Sequence, residues 1–288
     1  MPEYHKTSDI TLANAVDGFF LACQARKLSP HTISDYQNTL RRFLAHVGDV
    51  PLRNITTGTV SAFLATLNLG EKTTLNYHVG LAALWTWAIR EEHVYKHIPR
   101  LVIPPKPKKI VIQPFTEDEI RAMLTALQGG LKPARDRAII LLLIDTGMRA
   151  SEICGIELAD INLMDRCIKV LGKGNKERLL PMSPRTTQAV FEYLYQLETN
   201  EKPFNLTRTS LGHHIGRIGK RAGVTNAHPH RFRHTFAVTY IRNGGDPYTL
   251  QDILGHTTME MVRTYLALAN TDIKTTHLRC SPVENWKL

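Results

Sequence analysis

The sequence predicts a mainly α fold with a small β-hairpin or sheet, divided into two domains. Three observations carry this reading. Apolar residues recur at helical spacing along most of the 288 residues. One stretch, "IPRLVIPPKPKKIVIQP" (98–114), holds five prolines and four basic residues and favours an extended, semi-rigid linker over a helix. Only "CIKVLGKGNKERLLPM" (167–182) shows two short β-type runs, set around a Gly-Lys-Gly-Asn turn. A chain of this length also favours two cores over one.

The N-terminal part reads as four helices. "TLANAVDGFFLACQARK" is the first. In "LSPHTISDYQNTLRRFLAHVG", Ser29 is the expected N-cap, Pro30 takes the first helical position, and Gly48 ends the helix. "TTGTVSAFLATLN" and "KTTLNYHVGLAALWTWAIREEHV" supply the third and fourth, enough for a small bundle. The expected boundaries are 1–98 for this domain, 99–114 for the linker and 115–288 for the second domain.

The second domain opens with Thr116 and, three residues on, Glu119: a capping-box pattern starting a helix to about Gln128. A buried helix over 134–145 follows and ends at "DTGMRASEICGI". Beyond the hairpin, helices are expected near 186–198, 208–222, 230–243, 247–254 and 258–268, with Asp246 as a cap and Pro247 as a first helical residue.

Composition narrows the function classes. With 43% hydrophobic and 22% charged residues, this is an ordinary globular chain. The run "AIILLLI" (138–144) is too short to span a bilayer, and the N-terminus lacks a charged-then-apolar signal pattern, so export is not expected. Cys23, Cys154, Cys167 and Cys280 are dispersed with no C-x-x-C pairing, which indicates neither a disulfide framework nor a zinc site. The formal charge of +10 favours a polyanionic partner. Residues 1–98 carry nine basic and eight acidic residues, whereas 99–114 carry four basic and none acidic, so the linker is the most basic part per residue.

Several polar residues of the second domain sit at element ends or beside apolar helices. Arg149 follows the buried helix, Lys173 lies in the hairpin turn, His230 and Arg233 share one face at a helix start, His256 follows Gly255, and Tyr265 lies in the next helix. Singly each has a bland explanation: a surface ion pair of Arg149 with Glu152, an exposed turn lysine, histidines satisfying buried carbonyls. Together they suit a phosphodiester. Two guanidiniums match its non-bridging oxygens, histidines donate or accept, a lysine protonates a leaving alkoxide, and a tyrosine attacks. No cluster of acidic residues accompanies them, so cationic side chains would do the work of a metal. A metal site at His228, His230 and His234 lacks a fourth ligand at a usual spacing. His234 is expected to pack or cap within its helix.

The pieces "TGMRASEI", "GKGNKERLLP", "HPHRFRHTFA" and "LGHTTMEMVRTY", in that order, resemble the tyrosine recombinases of the phage integrase family, which includes Xer-type and Cre-type enzymes. The resemblance covers nearly the whole chain. It implies a SAM-like core-binding domain at 1–98 and a catalytic domain at 115–288, closing as a clamp on a double-stranded DNA recombination site. It implies that Tyr265 attacks the scissile phosphate to form a 3′-phosphotyrosyl linkage and a free 5′-hydroxyl, with Arg149 and Arg233 gripping the phosphate. Lys173 would be the general acid, His230 the proton acceptor, and His256 a donor to a phosphate oxygen, while Glu152 would orient the site. No cofactor and no metal would be needed. Strands would exchange through a Holliday junction in a tetramer of this chain, for integration and excision or for resolution.

The early start of helical pattern favours a minimal Xer-like layout. Thr73, Thr74 and Asn76 are candidate DNA contacts, with a plain helix cap as the rival reading. "SPVENWKL" shows no plain docking helix. Such a protein is expected in the cytoplasm, on the nucleoid; accessory or directionality proteins leave no trace in the sequence. Two other readings stay open at this point: a catalytically silent DNA-binding regulator on the same fold, and a relaxing enzyme like the type IB topoisomerases.

Overall fold

The structure is a computed structural model that describes residues 10–108, 112–127, 133–172, 177–197, 202–269, 277–278 and 280–286. It divides into two compact units, Met1–Ile110 and Val111–Leu288, each with its own core.

The first unit holds α1 (Leu12–Ala25), α2 (Pro30–Val47), α3 (Thr57–Thr66) and α4 (Glu71–Arg90). Side-chain oxygens of Thr11, Ser29 and Thr56 cap the first three, each accepting from a backbone N–H three residues on. Pro30 and Gly48 stand where the sequence places them, at the start and just past the end of α2. Phe43, Phe63 and Trp85 form the aromatic centre, with the Phe43 and Phe63 rings 5.0 Å apart. Gly80 lets α4 lie close to α2, since a Cβ there would stand 2.8 Å from Thr39 Cγ2. Thr74 is buried and its hydroxyl donates to the Gly70 carbonyl, so this candidate DNA contact faces inward.

The proline-rich segment is less uniformly extended than expected. His97 caps a single 3-10 turn over Ile98–Leu101, in which Pro99 is tolerated because its missing N–H falls at a turn start. His78 Nε2, from α4, lies 2.8 Å from the Pro99 carbonyl oxygen and holds this turn against the helix.

The second unit contains α5 (Glu117–Thr125), α6 (Pro133–Thr146), α7 (Ala150–Gly155), β1 (Ile161–Asn162), β2 (Cys167–Leu171), β3 (Glu177–Pro181), α8 (Pro184–Tyr195), α9 (Arg208–Arg221), α10 (Pro229–Arg242), α11 (Pro247–Leu254), α12 (Glu260–Ala269) and α13 (Pro282–Trp286). The fold is thus mainly α with a small sheet, as the sequence predicts. The hairpin is an antiparallel β2–β3 pair with Ile168 opposite Leu180, and β1 extends it to three strands in the order β1-β2-β3. Two residues are too short a strand to show a period, so the pattern along the chain did not mark β1. The turn residues 173–176, Lys173 among them, lie outside the described residues. The five-residue α13 appears where no plain helix was expected.

The α6 helix, buried at Ile139, Ile140, Leu142 and Leu143, is the axis of the larger core. A smaller apolar cluster joins α10, α11 and α12 through Val238, Ile241, Leu250, Leu254 and Val262, with Tyr265 among them. Among the described residues no helix is long and apolar enough to cross a membrane.

The junction between α6 and α7 depends on one residue. Gly147 has φ +61°, and a Cβ added there would meet Phe236 Cδ1 at 2.4 Å and Leu254 Cδ2 at 2.9 Å. Gly147→Ala is therefore expected to cost about 2–4 kcal/mol, from left-handed strain plus overpacking. Urea unfolding of the variant beside wild type measures this directly.

Candidate functional site

Arg149, Glu152, Arg233, His256 and Tyr265 come together in the second unit, each delivered by a different local device. Arg149 is the N-cap of α7, and Glu152, in its first turn, accepts the Arg149 backbone N–H at 2.7 Å. Arg233 lies in the second turn of α10, whose start is fixed by Pro229 and by the His228 ring accepting the Arg231 N–H. His256 follows a left-handed Gly255, and its N–H returns to the Gln251 carbonyl at 3.1 Å while Gly255 N–H reaches Asp252. That pair of bonds is a Schellman ending, and it fixes the exit direction of His256. Tyr265 projects from α12 into the smaller apolar cluster.

Arg233 is 1% exposed and donates to three acceptors: the Gly147 carbonyl at 2.9 Å, the Leu254 carbonyl at 2.7 Å and His256 Nε2 at 2.8 Å. A guanidinium can only donate, so His256 Nε2 must accept and the ring proton sits on Nδ1. That Nδ1 is buried and has no hydrogen-bond partner among the described residues. Burial first, then the Arg233 and Arg149 charges, push the His256 imidazole down to about 4, so it is neutral at pH 7. Burial and the neighbouring Arg149 also lower Arg233, to about 10, which leaves it charged.

Glu152 is saturated. Its Oε1 accepts from Arg149 Nη1 at 2.9 Å and Arg178 Nη1 at 3.0 Å, and its Oε2 accepts from Arg178 Nη2 at 2.9 Å. Burial raises the carboxyl, but the Arg178 bonds, the Arg149 N–H and both guanidinium charges outweigh it and hold it below the usual range. Arg178 also donates from Nε to the Ile253 carbonyl at 2.8 Å, and Arg149 reaches the Gly255 carbonyl at 3.3 Å. Two guanidiniums, Arg149 and Arg178, therefore share one carboxylate, while Arg233 bonds only neutral groups.

Beside them opens a cleft of about 530 Å³, walled by Arg149, Ser151, Arg208, His228, His230 and Arg233 among others. His230 stands in its wall, with its imidazole lowered by burial and by the Arg233, His228, Arg149 and Arg208 charges. His256 and Tyr265 do not line this cleft. Tyr265 is 1% exposed, its ring lies 6.3 Å from the His256 ring at 13° to it, and burial raises its phenol above the ordinary value.

Three residues escaped the sequence reading. His234, expected to pack or cap, instead places Nδ1 2.9 Å from the Tyr265 hydroxyl. Its i, i+4 relation to His230 was the available signal, and the two rings meet edge-on at 4.2 Å. Arg178 shares the inward face of β3 with Leu180, and a charge on a core-facing strand position marks a partnered group. Arg208, at the start of α9, was also missed. No group of three or more His, Cys, Asp or Glu side chains among the described residues is placed to hold a metal ion.

Residues 113–272 match the phage integrase family, and residues 16–92 match the phage integrase N-terminal SAM-like domain. The chain is 31% identical over 278 residues to the tyrosine recombinase XerC of Staphylococcus haemolyticus (strain JCSC1435), covering 89% of this chain and 93% of that one. It is 29% identical over 276 residues to the tyrosine recombinase XerC of Staphylococcus aureus (strain MSSA476), covering 89% and 92%. Its fold is similar to the Tn1549 transposon integrase in complex with transposon right end DNA, with TM-score 0.76, 20% identity and coverage of 92% and 98%. It is also similar to a lambda integrase tetramer bound to a Holliday junction, with TM-score 0.74, 18% identity and coverage of 90% and 78%.

Two outcomes follow from the geometry. His234 and His256, both lowered to about 4, bind fewer protons folded than unfolded between that value and an unfolded pKa of about 6.5. Stability should therefore fall as pH drops from about 6.5 toward 4, by at most about 1 kcal/mol per histidine per pH unit after solvent screening. Denaturant midpoints across that range, flattened in His256→Gln, check it. Replacing Glu152 by Gln leaves two guanidiniums without their shared charge and should cost about 3 kcal/mol at pH 7, read from the same unfolding curves.

Proposed function

The chain belongs to the phage integrase family, and from that premise we propose how this tyrosine recombinase acts: it cuts and rejoins double-stranded DNA at a specific site through Tyr265. The observation that supports this most is the charge balance. Arg149, Arg178 and Arg233 surround a single carboxylate, and the histidines between them are neutral at pH 7, so positive charge is left uncompensated beside an open cleft. A phosphodiester has the charge and the oxygen geometry to complete it.

In this reading Arg149 and Arg233 donate to the two non-bridging oxygens, and the unpartnered Nδ1–H of His256 donates to one of them. Tyr265 Oη attacks phosphorus, the bond to the 5′-oxygen breaks, and a 3′-phosphotyrosyl ester forms. The phenol proton passes to His230, whose neutral imidazole can accept it at pH 7. Lys173 protonates the leaving 5′-oxygen; this role comes from the resemblance alone. Attack by the 5′-hydroxyl of a partner strand reverses these steps, so bond energy is conserved and neither ATP nor a metal is consumed. Glu152 and Arg178 hold Arg149 in place.

The partners in this proposal are duplex DNA and further copies of the chain, assembled as a tetramer on a Holliday junction. Integration and excision, or resolution, would be its use, in the cytoplasm on the nucleoid.

A nicked suicide duplex tests the reading, with EDTA present and wild type run beside Tyr265→Phe on a denaturing gel. Wild type should give a DNA-shifted protein band and Tyr265→Phe none. DNA binding by both with no covalent band on any candidate site would replace the recombinase by a silent binding protein.

A further inference from the structure

We propose that His234 is a positioning residue for Tyr265: in the DNA-free protein it holds the phenol buried, and this bond must open before Tyr265 reaches a phosphate. The inference rests on the reading of Tyr265 as nucleophile. It begins from the placement of the hydroxyl. Tyr265 Oη lies 2.9 Å from His234 Nδ1, and the tyrosine is 1% exposed, packed in the cluster of Val238, Leu250, Leu254 and Val262. The cleft walled by Arg149, His230 and Arg233 does not include it.

The nature of the bond follows from the two groups. Burial, and then the His230, His228 and Arg233 charges, hold the His234 imidazole down at about 4, while burial raises the phenol above its usual value. The proton therefore stays on oxygen, and with the His234 ring proton on Nε2 its Nδ1 accepts the hydrogen bond without ionising the phenol. A strong base at this position would activate the tyrosine. A neutral ring of such low basicity instead satisfies a buried O–H and stabilises the withdrawn state. His230, edge-on to His234 at 4.2 Å and standing in the cleft wall, braces the ring from the open side.

Removing the acceptor strands a buried hydroxyl, which favours conformations with Tyr265 in solvent. The test is nitration of the full chain without DNA by tetranitromethane, with each tyrosine followed by peptide mass spectrometry. Tyr248, 70% exposed, and Tyr193, 7% exposed, are internal standards. In wild type Tyr265 should react as slowly as Tyr193. His234→Ala should raise Tyr265 relative to Tyr248 by about tenfold, the effect of losing one buried hydrogen bond. His234→Asn, whose Oδ1 can stand near the position of Nδ1, should return it close to wild type.

The proposal is overturned if wild-type Tyr265 reacts like Tyr248, if His234→Ala leaves it unchanged, or if His234→Asn behaves as the alanine variant does. If Tyr193 rises in parallel in the alanine variant, the protein has opened globally, and the wild-type and asparagine results decide. The assay contains no DNA, so its failure leaves the nucleophile reading standing. A covalent band persisting in Tyr265→Phe would remove that reading and leave the His234 bond intact.

Discussion

The buried guanidinium of Arg233 is the constraint on which the site depends. It ties the Gly147 carbonyl before α7 to the Leu254 carbonyl ending α11, and it fixes the tautomer of His256. Each of those acceptors sits at an element end, where backbone carbonyls lack helical partners. Glycine is required at 147 because the carbonyl can face Arg233 only from a left-handed turn packed against Phe236 and Leu254. The helix ends thus satisfy a buried cation, and the cation in turn aligns the segments that carry Arg149, His256 and, one helix on, Tyr265.

Burying such a charge costs several kcal/mol unless it is well bonded. Here the bonds are to neutral groups, and the one nearby carboxylate is already committed to Arg149 and Arg178. In the proposed reaction this arrangement holds positive charge in readiness, at the expense of folding stability, for a phosphate that arrives with the DNA. Neutral histidines suit this state, since a protonated His256 would face Arg233 with a donor against a donor. The same logic explains a protonated Tyr265: an ionised phenol beside Arg233 would satisfy the cation internally and compete with the phosphate.

Much of this was legible in the sequence because caps and motifs are local. Ser29-Pro30, Thr116 with Glu119, and Asp246-Pro247 start helices where the chain says they should. Arg149, Arg233, His256 and Tyr265 were all nominated, and the structure brings them into one neighbourhood. What the chain did not reveal depends on partners distant in sequence. His234 meets Tyr265 across 31 positions, and Arg178 meets Glu152 across 26. Neither partner can be inferred from helical or strand period alone, although inward placement of a charged or titratable group was a usable sign. Thr74 shows the converse: a polar residue at a helix start looked available and is spent on the Gly70 carbonyl.

The most direct test of the phosphate grip is a crystal structure of the wild-type chain on a nicked duplex, with vanadate in place of the scissile phosphate. The account predicts Arg149, Arg233 and His256 Nδ1 within hydrogen-bond distance of equatorial vanadate oxygens, with Tyr265 Oη at an apex and released from His234. Vanadate seated away from Arg233, or Tyr265 still on His234 with vanadate bound, would contradict it.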